Sequence, residues 1–192
     1  MGHDQLNYLI RLLSSKGVQF AEGLTDYEVF AIERKFSIVF PPDLKMFLMH
    51  VLPVGSSFID WRAGLVDVSV EKSIITKLNW PLHGMLFDVR ENGFWLDEWG
   101  AKPEDLGLQE LNVKSLYASY PKLVPVYAHR YISSQPNMPG NPVISINQTD
   151  IIYYGFDLAD YFAREFRFLL DSSFDKLDQP IREIRFWSSM TG

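Results

Sequence analysis

The feature that most restricts the fold is a change in the spacing of apolar residues along the chain. Up to residue 80 they recur every three to four positions, and beyond it several short runs alternate by two. Leu6, Leu9, Ile10 and Leu13 mark an amphipathic helix over 5–15, with Asp4 as a cap and Gly17 as its end. Thr25 and Glu28 make a capping box for a second helix carrying Val29, Ile32, Glu33 and Phe36. Pro42 suits the first turn of a third, where an absent N–H leaves nothing unpaired, and Leu44, Phe47, Leu48 and Val51 give that helix an apolar face. Val70, Ile74, Ile75 and Leu78 predict a fourth helix over 65–80, stopped by Trp80-Pro81.

Past that proline the reading changes. Residues 85–90 and 94–99 are expected as strands joined through Glu91-Asn92-Gly93, because Asn-Gly accepts the positive φ of a tight hairpin. Residues 106–119 read as helical, and 124–132, 141–146 and 150–155 as β-runs separated by turn residues, Asn147 to Thr149 among them. Asp157 is placed to cap a last helix bearing Leu158, Tyr161, Phe162, Phe166 and Leu169, and EIRFW near the end is expected as an edge strand or an extension. Helices first, strands in the middle and a helix after them predict an α+β fold with a largely antiparallel sheet.

Composition narrows the function. The 192 residues suit a single compact domain, 47% of them hydrophobic. With no cysteine, disulfides, iron–sulfur clusters, thiolate zinc sites and cysteine nucleophiles are all excluded. The four histidines, His3, His50, His83 and His129, show no metal-pair spacing, and no phosphate loop, dinucleotide fingerprint or nucleophile elbow occurs, so no metal, cofactor or catalytic residue is expected. A net charge of -6 argues against nucleic acid, which needs a concentrated Lys/Arg face. No signal sequence or membrane-length apolar run is present, so a cytoplasmic protein without membrane contact is expected.

Residues 25–55, TDYEVFAIERKFSIVFPPDLKMFLMHVLPVG, resemble the opening helices of the SUKH superfamily, which includes fungal cell-wall-synthesis regulators and bacterial toxin-immunity proteins. Its signature pairs a Glu on one helix with an LP-x-D-(Y/L)-(K/R)-x-(F/L)-L start to the next, and Glu33, Pro41, Pro42, Asp43, Leu44, Lys45, Phe47 and Leu48 fall on it. Leu52-Pro53-Val54-Gly55 stands where the family commonly has Asn-Gly-Gly, which points to a divergent branch; segments 80–100 and 121–166 are similar to uncharacterised bacterial members. The resemblance implies a curved, mixed and largely antiparallel sheet with helices packed mainly on one side, and a non-enzymatic immunity or regulatory protein that binds a toxin or other protein. Residues 1–20 are then an added N-terminal helix, 21–170 the SUKH-like domain and 171–192 a C-terminal extension.

The 15% aromatic content is the remaining clue. Strict alternation over 124–132 sets Val124, Val126, Ala128, Arg130 and Ile132 on one face and Tyr127, His129 and Tyr131 on the other. If helices cover one face only, Trp95, Trp99, Tyr127, His129 and Tyr131 share the concave side with Asp88, Asp97 or Asp150 nearby. Such rings beside a few polar groups suit a binding groove, and equally a second core layer with its polar tips paired. Trp95, Trp99, His129, Arg130, Tyr131 and Asp150 are the candidate binding residues. Acidic strips at Glu91, Asp97, Glu98, Glu104, Asp105 and Glu110, and at Asp157, Asp160, Asp171, Asp175 and Asp178, suit either a solvated surface or steering toward a basic toxin. The alternative is a small-molecule-binding or hydrolytic site with His129 and Asp150 as its polar pair.

Overall fold

The computed structural model describes residues 2–174 and 180–191, so Asp175 and Asp178 of the late acidic strip lie outside the described residues. The helices are α1 His3–Ser15, α2 Asp26–Phe36, α3 Pro42–His50, α4 Val68–Glu91, α5 Leu106–Tyr117 and α6 Leu158–Phe166. Strands β1 Gln19–Glu22 and β2 Val51–Val54 pair as a short antiparallel ribbon. Strands β3 Leu123–Tyr127, β4 Arg130–Ser133, β5 Val143–Asn147 and β6 Asp150–Gly155 form a four-stranded antiparallel meander in chain order. The expected α+β class with antiparallel pairing therefore stands.

The first third folds as its capping chemistry dictates. The Glu28 amide donates to Thr25 Oγ1 at 3.2 Å, and Glu28 Oε2 accepts from the Thr25 amide at 2.8 Å. The same carboxylate pairs with Arg62, whose Nη1 and Nη2 donate to the Glu22 and Gly23 carbonyls at 2.9 and 2.8 Å. Arg62 thus ties the turn before α2 to the loop after β2. A side chain at Gly23 would place its Cβ 2.0 Å from the Met49 carbonyl oxygen, so this close approach needs glycine. The residues that carry the family resemblance are structural clasps. Glu33 accepts from the Phe40 amide at 2.9 Å, and the buried Asp43 accepts from the amides of Leu44 and Gly140, each at 3.0 Å.

The main correction concerns residues 81–99, where the expected hairpin is absent. Helix α4 runs 24 residues straight through Pro81, because Met85, Leu86 and Val89 continue its buried stripe. A proline inside a helix deprives the carbonyl four residues earlier of its donor. That carbonyl belongs to Lys77, and the Tyr131 hydroxyl donates to it at 2.9 Å. Asn92 and Gly93 (φ 66°) then end the helix instead of turning a hairpin, and residues 97–99 form a single 3₁₀ turn. The start also shifts: Asp67 caps the helix by accepting from the Ser69 and Val70 amides, so it begins at Val68.

The run 124–132 is not one strand but two, β3 and β4, joined at Ala128-His129 with Ala128 left-handed (φ 46°) and a register irregularity before Tyr127. Strict alternation fails across that turn. Tyr127 faces the same core as Val124 and Ile132, while Tyr131 faces the opposite one. Both sheet faces are packed. Val124, Ile132 and Val143 meet Leu158, Tyr161 and Phe162 of α6, and Leu123, Tyr131, Ile144 and Ile151 meet Met85 and Val89 of α4 and Val113 of α5. Of the two readings of the aromatic face, an open groove or a second core layer, the packing is that of a second core.

Both ends of the chain join these cores: Leu6, Leu9 and Leu13 are buried in the first, and Ile184, Phe186 and Trp187 in the second. EIRFW is no strand; a 3₁₀ turn follows at Trp187–Met190, whose indole donates to the Pro121 carbonyl at 2.7 Å. Helix α6 stops at Phe166, with Arg167 left-handed, so Leu169 is exposed and not on its apolar face. At the far end of the sheet Asp88 accepts from Thr149, at 2.9 Å from the amide and 2.6 Å from the hydroxyl, confirming Asn147–Thr149 as a turn region.

Two outcomes follow. Tyr131→Phe orphans the Lys77 carbonyl and should lower stability in urea by about 1–3 kcal/mol. In a Pro81→Ala background, where residue 81 regains its N–H, the loss should shrink to less than half, and equal losses in both would refute the link. Glu28, held at about 2 chiefly by the Arg62 hydrogen bond, lies below its unfolded value of 4.5. Its contribution is full above 4.5 and fades as pH falls toward 2, so the Tm gap between wild type and Glu28→Gln should narrow over that window.

Candidate functional site

Helix α4 carries Ser73, Thr76, Lys77 and Trp80 at i, i+3, i+4 and i+7, which puts all four on one stripe. Facing them is the β3–β4 turn. It is anchored by the Ala128 amide donating to the Ser57 carbonyl at 2.8 Å and by the Ile146 amide donating to the His129 carbonyl at 3.1 Å. The Phe58 and Tyr127 rings meet edge-on at 4.7 Å behind it. Between helix and turn lies a cleft of about 490 Å³ lined by Ser73, Thr76, Lys77, Trp80, Ala128, His129 and Tyr131. It adjoins a second hollow of about 320 Å³ that shares Ser73 and Lys77 and reaches Phe58, Ile59 and Asp60.

The polar groups of the main cleft differ in their engagement. Thr76 Oγ1 donates to the Lys72 carbonyl at 2.9 Å, and the Tyr131 hydroxyl is committed to Lys77. Ser73 Oγ, Lys77 Nζ and the His129 ring make no hydrogen bond or ion pair among the described residues. Partial burial first, and then the charges of Arg130 and Lys77, push His129 below its ordinary value against the opposing pull of Glu165. The imidazole is therefore neutral at pH 7. Burial raises the Tyr131 phenol, keeping it a neutral donor.

Of the six candidate residues, His129 and Tyr131 reach this cleft. Trp95 and Trp99 lie past the C-terminal end of α4 and meet edge-on at 5.3 Å. Their indoles donate to the Gly100 carbonyl at 2.8 Å and to the Tyr120 hydroxyl at 2.9 Å, and Trp99 is buried, so both serve packing. Arg130 projects to the α6 side. Its Nη1 donates to Ser145 Oγ at 2.9 Å, its guanidinium carbon sits 3.9 Å from the Tyr154 ring centre, and its Nε faces Glu165 at 3.5 Å. Asp150 is exposed at the start of β6, opposite Asn147. No hydrogen bond joins it, or Asp97, to His129 among the described residues, so the proposed His129–Asp150 pair is not assembled.

The residues missed from sequence are Ser73, Thr76, Lys77 and Trp80. Reading Trp80-Pro81 as a stop placed Trp80 at a helix end, whereas it stands mid-helix on the Ser73 stripe. The spacing of that stripe was available; the tyrosine that lets the helix continue, fifty residues downstream, was not.

No protein family, curated protein or solved structure matches the chain. Among the described residues no group of three or more His, Asp or Glu could hold a metal ion, and no helix is long and apolar enough to cross a membrane.

Arg130 and His129, neighbours in sequence, should separate in a stability assay. Arg130→Met leaves Glu165 with no cation in a largely buried site and should cost about 3 kcal/mol in urea unfolding. The exposed His129→Ala should stay within about 0.5 kcal/mol of wild type. The reverse order would mean that the α6-side ion pair does not support the sheet.

Proposed function

We propose that the chain is a non-enzymatic, SUKH-like protein-binding domain that docks a basic partner on the outer face of α4. The observation that carries this reading is a pair of large aromatics on that face: Trp80 is 47% and Phe87 46% exposed. Seven residues, two turns, separate them, so they lie on one side of the helix with the exposed His83 between. Half-exposed aromatics on an otherwise well-packed helix are the anchors that protein interfaces use.

The charge beside them supports a basic partner. Glu91 ends the same helix, and Asp97, Glu98 and Glu104 follow it, all exposed and with no ion pair among the described residues. Asp105 and Glu110, from the same acidic strip, are otherwise engaged: Asp105 caps α5 and Glu110 pairs with Arg90 and Lys114. A partner seated on Trp80 and Phe87 would meet four free carboxylates at the end of α4, an arrangement that speeds encounter with a cationic surface. An immunity or regulatory role, which the SUKH resemblance implies, fits a domain of this kind.

The experiment is capture from the native cell extract on immobilised wild type, a Trp80→Asp, Phe87→Asp double variant and a Trp95→Ala control. A basic protein retained by wild type and Trp95→Ala, lost from the double variant and associating more slowly at high salt is the expected result. Equal retention by wild type and the double variant would overturn the docking face.

A further inference from the structure

We propose that the cleft between α4 and the β3–β4 turn is a binding site for a small organic anion, a planar ring carrying a carboxylate or a phosphate. This site does not depend on the docking face described above, although Trp80 stands at the edge of both.

Three observations converge on it. The first is available polarity: Ser73 Oγ, Lys77 Nζ and the His129 ring all line one cleft, and none has a protein partner among the described residues. Several other cations packed against the cores are engaged: Arg62 on Glu28 and two carbonyls, Arg130 on Ser145 and Glu165, and Lys35 on Glu71. An ammonium and a hydroxyl one helical turn apart, with an imidazole across the gap, make three donors able to close around one anionic group.

The second is charge. In a chain with 24 acidic against 18 basic residues, none of the seven residues lining this cleft is acidic. Asp60, which lines the adjoining hollow, already accepts from the Ala63 amide at 2.9 Å. Glu165, behind the strand, faces Arg130. The local field therefore favours an anion in a molecule whose overall charge repels one, and this inversion is what a selective site requires.

The third is shape. About 490 Å³ lies within the range of small-molecule sites, and the lining includes Trp80, half exposed, with the buried Tyr131 beneath. Tyr131, almost wholly buried, donates its hydroxyl to the Lys77 carbonyl and so leaves no polar tip free in the cleft. The same bond fixes the backbone of Lys77, so the ammonium issues from a positioned point. An aromatic wall beside a donor cluster selects a ring bearing a charge over a bare ion or a bare ring.

The test is calorimetric titration of the full chain with phenyl phosphate, benzoate, inorganic phosphate and phenol at low salt. Phenyl phosphate or benzoate should bind about tenfold or more tightly than both inorganic phosphate and phenol, and the two ring compounds distinguish phosphate from carboxylate recognition. Lys77→Gln, with an unchanged Tm, should weaken that binding by about tenfold, and Ser73→Ala by a smaller factor, while the exposed Arg11→Gln leaves it unaltered. Ring anions that bind no better than inorganic phosphate, or binding indifferent to Lys77→Gln, would overturn the site. Phe87→Asp separates the two readings: anion binding should survive it, and partner capture that persists where no anion binds would strike this site alone.

Discussion

The hydrogen bond from the Tyr131 hydroxyl to the Lys77 carbonyl is the interaction on which the arrangement around the sheet depends. Without it, Pro81 would leave a buried carbonyl unpaired in the middle of α4, and the helix would be expected to end or kink at Trp80. With it, 24 residues form one rod that buries Ile74 in the first core and Met85 and Val89 in the second, against the sheet. The far end of that rod is secured by a second polar contact. Asp88 takes both the amide and the hydroxyl of Thr149, and at Gly84 a Cβ would come within 2.7 Å of the Gln148 Cα, so helix and hairpin turn touch backbone to backbone. Two polar contacts, about three helical turns apart, thus set the helix against β4 and the β5–β6 turn.

That placement explains why aromatics expected to form a binding face became core. Once α4 covers the sheet, Tyr131 cannot face solvent, and the loop after α4 folds Trp95 and Trp99 into an aromatic group with Phe94 and Tyr120, which in turn stacks on Phe186 at 3.5 Å. The polar tips of these rings find carbonyls or hydroxyls, which is the condition for burying Trp and Tyr without loss. On the other face Arg130 lies against Tyr154 and Glu165 for the same reason. The aromatic excess is consumed mainly by two cores that share one sheet.

How much of this was legible in sequence depends on the range of the deciding interaction. Thr25 with Glu28, Pro42 at a helix start, Asp157 before α6 and the turn at Asn147–Thr149 all rest on contacts within a few residues, and each appears where local chemistry puts it. The hairpin expected over 85–99 failed because Asn92-Gly93 suits a helix end as well as a tight turn; Met85, Leu86 and Val89 fit both periods until the fate of Pro81 is known. The strand expected over 124–132 failed at Ala128, a residue with no turn signature, whose left-handed backbone is held by Ser57 from across the fold. His129 was singled out as a site residue and does line a cleft, but the residues facing it there come from α4, about fifty positions upstream.

The motif residues shared with the SUKH pattern acquire a physical reading of their own. Glu33 closes the α2–α3 connection through the Phe40 amide, and Asp43, buried at the start of α3, reaches the Gly140 amide in the loop between β4 and β5. Burial raises the Asp43 carboxyl while the Gly140 and Leu44 amides oppose that rise, so the group is held by donors from its own helix and from the β4–β5 loop. Such residues specify how helices meet the sheet; they carry no information about a partner. A resemblance resting on them can therefore persist while the exposed faces diverge. Trp80, Phe87 and Lys77 lie outside the matched helix start, on the 24-residue helix whose continuity a distant tyrosine decides, and both the proposed docking face and the proposed cleft are built on that helix.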